Sequence, residues 1–199
     1  MLAYEINTRC WLRELSERTS RRITLANVPE SEFAEWQRLG FTHIWLMGVW
    51  TSGPRSRAVA LAVDDLQKAY GCSLQTVRHT DVAGSPYAIA EYRVPEAMGG
   101  DSGLEQFRAK LRQHGLKLLL DFVPNHVGLD HPWLKERPEL FVQSATAAVG
   151  CFEQETNEGW RFIAHGRDPF FPPWSDTAQL DYRNPATREA TLQELLCVA

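Results

Sequence analysis

The chain has 199 residues, 44% of them hydrophobic and 23% charged, which are the proportions of an ordinary soluble globular protein. Its formal net charge of -4 and the absence of a basic cluster argue against a nucleic acid partner and favour a neutral ligand. No apolar stretch is long enough to cross a bilayer and the N-terminus lacks the pattern of a signal peptide, so we expect a cytoplasmic protein without membrane contact.

The first fifty residues read as a strand, a helix and a second strand. Residues 4–11 have the pattern of a short strand. Residues 31–39 predict a helix, because their large apolar side chains share one face and Gly40 follows as a stop signal. The apolar run that comes next, within residues 40–50, predicts the second strand.

A long polar stretch, residues 51–100, separates the second strand from the next regular helix. Its glycine and proline clusters, with a short predicted helix at residues 64–70, indicate a functional excursion more than a linker. The helix after it is expected to begin near Ser102, because Ser102 and Glu105 have the spacing of a capping box, and to end at Gly115.

The third strand, residues 116–123, is the most informative segment, because its apolar pattern ends in Asp, Asn and His. Side chains alternate along a strand, so Asp121 and Asn125 are expected on one side. Pro124 would end the strand, and His126 would enter the following loop. The carboxyl ends of parallel strands are where ligands bind in α/β folds, which favours a site over the alternative, a hydrogen-bonded turn.

The last predicted element is a helix that begins at Asn184 and Pro185, an N-cap residue followed by proline at the first helical position, and runs to the end of the chain. The order of strand, helix, strand, excursion, helix and strand predicts an α/β fold with parallel strands. This pattern leaves open a (β/α) barrel and a doubly wound sheet.

Four segments resemble the alpha-amylase family (glycoside hydrolase family 13), and they occur in the family's order. They are the D-x-x-x-N-H motif at residues 121–126, a second barrel strand at 40–50, a Y-x-I-x-D-Y segment at 85–92, and a Q-x-D-L or L-P-D-L segment at 174–182. Glu91 stands where the third of these motifs has Asp. Each segment alone is weak, and the ordered set is specific.

The resemblance implies an incomplete (β/α)8 TIM barrel, made of the first three βα units, with a small domain inserted after strand three. Residues 1–126 would form the first part of the catalytic barrel, and residues 127–174 a segment like the family's domain B. Residues 175–199 would return to the barrel as its third helix. Such an open half barrel leaves strand edges unpaired, so self-association is expected.

The resemblance also implies a carbohydrate-active enzyme that acts on α-glucosidic bonds of an α-glucan or small α-glucoside, by retaining hydrolysis or transglycosylation. The family's nucleophile and acid/base would lie beyond Ala199, so we assign no catalytic residue and expect the chain alone to be inactive. One alternative is a non-catalytic sugar-binding or protein-interaction fragment. Another is an unrelated α/β enzyme that uses Asp121, His126 and a metal.

Three substrate-binding residues follow from the resemblance. Tyr87 would stack on the sugar whose bond is cleaved, His126 would donate a hydrogen bond to one of its hydroxyls, and Asp121 would shape the base of the site. Asn125 and Asp181 match positions that bind calcium in many members, and oxygen ligands suit that cation. A hydrogen-bond network that joins the two segments is the alternative to calcium.

Three aromatic residues lie among prolines near the end of the predicted insert. Phe170, Phe171 and Trp174 would form either a sugar platform or part of the packing of the insert. Of these alternatives, we expect packing for two of the three side chains.

Overall fold

The computed structural model describes residues 1–199, and the chain is of the α/β class. The strands are β1 (Ala3–Asn7), β2 (His43–Met47), β3 (Thr51–Ser52), β4 (Ile89–Glu91), β5 (Lys117–Leu120), β6 (His126–Gly128), β7 (Gln143–Ser144), β8 (Cys151–Thr156), β9 (Gly159–Gly166) and β10 (Trp174–Gln179). The α-helices are α1 (Thr8–Thr19), α2 (Glu30–Arg38), α3 (Pro54–Ala62), α4 (Asp64–Ser73), α5 (Gly100–Gln113), α6 (Trp133–Glu136) and α7 (Pro185–Val198). None of these helices has the length and apolar character that a bilayer span requires.

The chain divides into two compact units. The first consists of Met1–Thr51 and Arg93–Asp121, and the second of Ser52–Tyr92 and Phe122–Ala199. This division does not test the predicted limits of the insert at residues 127–174, which stay a prediction.

The first unit contains a three-stranded sheet in the order β1-β2-β5, and both strand pairs are parallel. This arrangement confirms the parallel α/β pattern expected from the sequence. Ile44 and Leu46 of the central strand are fully buried, as the middle strand of a covered sheet requires.

Aromatic side chains of three helices form the core of the first unit. Phe33 of α2 lies 5.3 Å from Phe107 of α5 and 5.4 Å from Trp36, measured between ring centroids. Trp11 of α1 lies 5.6 Å from Trp36. Phe33 and Phe107 are fully buried, and burial of each ring stabilises the fold by about 1.5–3 kcal/mol.

The second unit contains an antiparallel sheet in which β10 lies between β6 and β9, while β7 and β8 also pair with β9. Beneath it lies a core of buried apolar residues: Val127, Leu129, Leu134, Leu140, Phe141, Ile163, Ala178, Leu180 and Ala190. This sheet positions the residues of the candidate site described below.

Four predicted helices are confirmed, namely α2, α4, α5 and α7. The start of α7 is as expected, because the Oδ1 atom of Asn184 accepts a hydrogen bond from the N–H of Ala186 at 2.9 Å and Pro185 is the first helical residue. Short-range signals of this kind need no tertiary contact, which is why the sequence reveals them.

The predicted strand at residues 4–11 is wrong in its second half. The Asn7 side chain accepts a hydrogen bond from the N–H of Cys10 at 3.2 Å and caps α1, so the strand stops there. Thr8, Leu12 and Leu15 then bury one face of the helix. Their spacing of four and three residues is helical, and it prevails over the strand pattern of the first residues.

The predicted capping box at Ser102 is also wrong. The helix α5 begins two residues earlier, after Gly99, which has a φ of 112° and provides no side-chain cap. Glycine adopts this left-handed conformation at little cost, so the chain turns into the helix before Ser102 is reached. The helix α3, in the predicted excursion, was not expected from the sequence.

The third parallel strand is shorter than predicted. It ends at Leu120, and the chain from Asp121 to Asn125 is irregular. The strand alternation that would place Asp121 and Asn125 on one side therefore does not apply. His126 does not enter a loop but begins β6, where it pairs with Gln179. His126 is in a strand because it pairs with β10, about fifty residues later in the chain, and no local sequence pattern predicts that pairing.

His131 is a buried polar residue in the turn after β6. Its Nδ1 atom accepts a hydrogen bond from the N–H of Trp133 at 3.2 Å, and the two rings lie 4.6 Å apart. Burial lowers the pKa of His131 to about 4, so the ring is neutral at physiological pH.

Replacing His131 by Asn should reduce the loss of stability on acidification. The unfolded chain binds a proton near pH 6.5, whereas the folded chain does so only at about pH 4. Stability is therefore complete above pH ~6.5 and falls towards pH 4, by ~2–3 kcal/mol for this group. Urea unfolding at about pH 7 and about pH 4.5 measures the difference. His79→Asn, at an exposed histidine of the same unit, is the control, and an unchanged pH dependence in His131→Asn would contradict the prediction.

The 199-residue chain should self-associate, because β1 and β5 are edge strands whose outer sides lack a partner strand. Light scattering over a hundredfold concentration range should show oligomers, and hydrogen exchange should show added protection at Lys117–Leu120 in the concentrated sample. A monodisperse monomer with a cooperative thermal transition would contradict this expectation.

Candidate functional site

His126 lies at the start of β6, which pairs antiparallel with β10. Gly128, at the other end of this short strand, packs so closely on the carbonyl oxygen of Ala88 that a Cβ atom there would collide with it. The absence of a side chain at Gly128 therefore lets the segment that contains Tyr87 approach β6.

The imidazole ring of His126 is 9% exposed and has partners on several sides. The ring of Trp174 lies edge-on at 5.2 Å between centroids, and the main-chain carbonyl of Tyr87 accepts a hydrogen bond from the imidazole. Asn125 Nδ2 lies 3.2 Å from His126 Nδ1. A Cβ atom at Gly166 would come within 3.0 Å of the Cβ atom of His126, so glycine leaves the room that this side chain occupies.

These contacts fix the proton state of His126. Burial lowers its pKa, while the hydrogen bond to Tyr87 and the negative charge of Asp176 act in the opposite direction. A neutral ring that accepts from Asn125 at Nδ1 carries its proton on Nε2, which then donates to the main-chain carbonyl of Tyr87. A sugar hydroxyl that binds the ring would therefore have to replace one of these two partners.

The structure brings Tyr87 and His126 together, as two of the predicted substrate-binding residues. The side chain of Tyr87 is 37% exposed, and its N–H donates to Ser85 Oγ at 3.2 Å. The phenol ring thus borders solvent while its main chain contacts the imidazole. Its stacking role stays a prediction.

The sequence analysis missed Asp176 and Ser56. Ser56 of α3 is buried; its hydroxyl donates to Asp176 Oδ2 at 3.0 Å and accepts from the N–H of Ser85 at 3.1 Å. Trp174 and Asp176 are two residues apart in β10, so their side chains share one face of the strand, and this spacing could have revealed Asp176 from the sequence. Ser56 had none, because no helix was predicted there.

A cavity of about 450 Å³ adjoins Trp174 and Asp176, a volume in the range of small-molecule sites. Its other wall consists of apolar and aromatic side chains of α3, of α4 and of the residue between them: Val59, Ala60, Val63, Leu66 and Tyr70. Polar groups on one side and apolar groups on the other suit a ligand with hydroxyls and a carbon face.

Asp121 belongs to the first unit, whereas Tyr87 and His126 belong to the second. Its carboxylate accepts hydrogen bonds from Trp45 Nε1 at 2.8 Å and from the N–H of Gly48 at 2.6 Å, and Trp50 Nε1 donates to its carbonyl at 2.8 Å. A carboxylate that is only 7% exposed requires such donors. This bonding ties the end of β5 to the segment after β2, and the substrate-binding role of Asp121 stays a prediction.

The two predicted calcium ligands already have protein partners. Both carboxylate oxygens of Asp181 accept hydrogen bonds from the Arg183 guanidinium at 2.8 Å, which lowers the pKa of Asp181. Asn125 contacts Gln179 and Arg167 instead. A cation would have to displace the guanidinium, and no group of three acidic, His or Cys side chains is available, so these residues do not fit a calcium ion as arranged. Calcium binding remains an untested prediction.

The three predicted platform aromatics separate into two groups. Phe170 and Phe171 are 86% and 67% exposed, and their N–H groups donate to Asp168 Oδ1 at 2.7 and 2.9 Å. This turn directs both residues to solvent, so the expected packing of two of the three is wrong for this pair. Trp174 instead packs on His126.

Residues 35–173 match the sequence model of the alpha-amylase family, which is described as "Alpha amylase, catalytic domain". The chain belongs to the alpha-amylase family. This confirms the resemblance that the sequence segments indicate.

Two curated proteins are similar in sequence to part of this chain. The amino acid transporter heavy chain SLC3A1 of Rattus norvegicus is 24% identical over 139 residues, which cover 59% of this chain and 20% of that protein. The probable oligo-1,6-glucosidase 2 of Bacillus subtilis is 25% identical over 119 residues, which cover 52% of this chain and 21% of that protein. The chain therefore spans about a fifth of the length of these relatives.

Solved structures share the fold. An alpha-amylase from Lactobacillus plantarum has a TM-score of 0.62 and 21% identity, and the match covers 98% of this chain and 35% of that one. The noncanonic maltogenic alpha-amylase AmyB from Thermotoga neapolitana has a TM-score of 0.58 and 18% identity, with the same coverage. At these identities the likeness concerns the fold alone.

Replacing Asp176 by Asn should lower the pKa of His126 further. The negative charge of Asp176 stabilises the imidazolium form, so its removal favours the neutral ring. An NMR titration of the His126 ring nitrogens measures the shift. Glu189→Gln, an equal charge change on the exposed surface of α7, is the control. A pKa that stays the same or rises in Asp176→Asn would show that the carboxylate does not act on the ring.

Proposed function

We propose that this protein is a carbohydrate-active enzyme of the alpha-amylase type, which acts on α-glucosidic bonds of an α-glucan or small α-glucoside. The single observation that carries the proposal is the match of residues 35–173 to the family's catalytic domain. Local support comes from the contact of His126 with Tyr87 and from Trp174, which packs on His126 and also lines a cavity of about 450 Å³.

The architecture we propose is the first three βα units of a (β/α)8 barrel, with an inserted segment at residues 127–174. The parallel order β1-β2-β5 supports the barrel part. The antiparallel pairing of β8 and β9 within the proposed insert supports a segment with its own sheet. The fold likeness, which covers 98% of this chain but 35% of the solved alpha-amylase, supports an incomplete barrel.

In this proposal the site binds one sugar ring. A sugar hydroxyl replaces the Tyr87 carbonyl as the acceptor of the His126 N–H, and Asp176 accepts from a second hydroxyl. The half-exposed ring of Tyr87 covers the apolar face of the sugar. These groups orient the substrate but supply no nucleophile.

Retaining hydrolysis requires two carboxylates about 5 Å apart, one as nucleophile and one as acid and then base. We infer that parts of the full-length enzyme outside these 199 residues supply both. The support is the coverage of relatives, which is 20% and 21% of their lengths. In this proposal the chain by itself binds substrate and does not catalyse hydrolysis.

The second candidate function is a non-catalytic sugar-binding or protein-interaction role. Its support is that a relative at 24% identity carries the name of an amino acid transporter heavy chain and not that of an enzyme. Membership of the family is therefore compatible with either function.

Binding of maltotriose to the 199-residue chain, followed by NMR, tests the sugar site. We expect weak binding that falls about tenfold in His126→Ala and in Tyr87→Ala, since each loses one oriented contact. Tyr182→Ala is the matched control, because Tyr182 is 39% exposed in the same unit and Tyr87 is 37% exposed. We also expect no turnover of an aryl α-glucoside.

Three other results would each change a different part of this proposal. Turnover that His126→Ala abolishes would contradict the inference that the carboxylates lie elsewhere. Binding that neither substitution weakens would show that the sugar site is misplaced. A folded chain that binds no α-glucoside would support the protein-interaction role.

A further inference from the structure

The amide group of Gln179, at the end of β10, is surrounded by oxygen atoms. The two hydrogens on its Nε2 atom face three oxygens: the main-chain oxygen of Asn125 at 2.8 Å, Asn125 Oδ1 at 3.1 Å and, as a longer shared contact, the main-chain oxygen of Leu180 at 3.4 Å. The three oxygens come from two segments, one just before β6 and one just after β10. Gln179 therefore cross-links the strand pair that begins with His126.

The orientation of both amide groups follows from their neighbours and is not an arbitrary choice of oxygen and nitrogen. The N–H of Arg167 lies 3.0 Å from Gln179 Oε1, and an N–H requires an acceptor. Asn125 Nδ2 lies 3.3 Å from the carbonyl of Arg167, which requires a donor. Asn125 Oδ1 must then face Gln179 Nε2.

Converging carbonyl and amide oxygens accept either N–H donors or a hard cation. The observed distances, 2.8 to 3.4 Å, suit a nitrogen donor, whereas calcium requires oxygens at about 2.3–2.6 Å. Asp181, the nearest acidic residue in sequence, is engaged by Arg183. The side chain at position 179 therefore decides what fills the cluster.

We propose that Gln179 closes this oxygen cluster with its own amide group, so that the junction of Asn125 with β10 is a cross-link without a metal. Changing this one amide to a carboxylate would convert the cluster into a calcium site. The inference concerns the stability of the second unit and does not depend on the proposed function.

The substitution Gln179→Glu tests the proposal. In EDTA, a carboxylate oxygen would replace the NH2 group and face three oxygens, so the thermal midpoint should fall by about 3–6 °C. Millimolar calcium should restore it, because the carboxylate and the three oxygens then become ligands of one ion. The wild-type midpoint should be the same in calcium and in EDTA.

Two further variants separate charge from coordination. Gln143→Glu makes the same chemical change where the amide donates to a single carbonyl, that of Pro138, so calcium should not stabilise it. Gln179→Leu removes the donor without adding a charge, so its midpoint should fall in both conditions alike. Calorimetric titration should detect one calcium site in Gln179→Glu and none in the wild type.

Two results would overturn the proposal. A wild-type midpoint that rises in calcium or falls in EDTA would show that the native junction contains a cation. A Gln179→Glu variant that calcium does not stabilise would show that the oxygens do not form a coordinating cluster.

Discussion

The antiparallel pairing of β6 with β10 is the constraint on which the candidate site depends. It sets His126 opposite Gln179 and places the ring of Trp174 against the imidazole. Two glycines make the close packing possible, since a side chain at Gly128 or Gly166 would collide with the neighbouring segment. A strand of three residues thus positions the central residue of the site because it is buried along its whole length.

Burial also gives the site its electrostatic character. The imidazole of His126 is desolvated, which lowers its pKa, and Asp176 opposes that shift without reversing it. Ser56 donates a hydrogen bond to Asp176 and so fixes the direction of the carboxylate. The outcome is a neutral ring beside a negative charge, which suits the recognition of hydroxyls more than that of anions.

The likeness of the chain to alpha-amylases concerns its fold more than its chemistry. Its likeness to alpha-amylases covers nearly all of its residues but about a third of theirs. In its second unit, Asp176 is the carboxylate whose charge acts on the His126 imidazole, whereas retaining glycoside hydrolysis requires a pair of carboxylates. Family membership therefore describes the scaffold and does not by itself assign an activity to these residues.

The sequence by itself determined the elements whose signals are local. The α7 helix follows from Asn184 and Pro185, and the family follows from four short segments in order. Tertiary structure decided the rest. Asp130 accepts a hydrogen bond from the N–H of Arg55 at the start of α3, 75 residues away, and Ser56 bonds to Asp176 across 120 residues. Partners so distant in sequence leave no periodicity or capping pattern, so only the folded chain reveals that they are in contact.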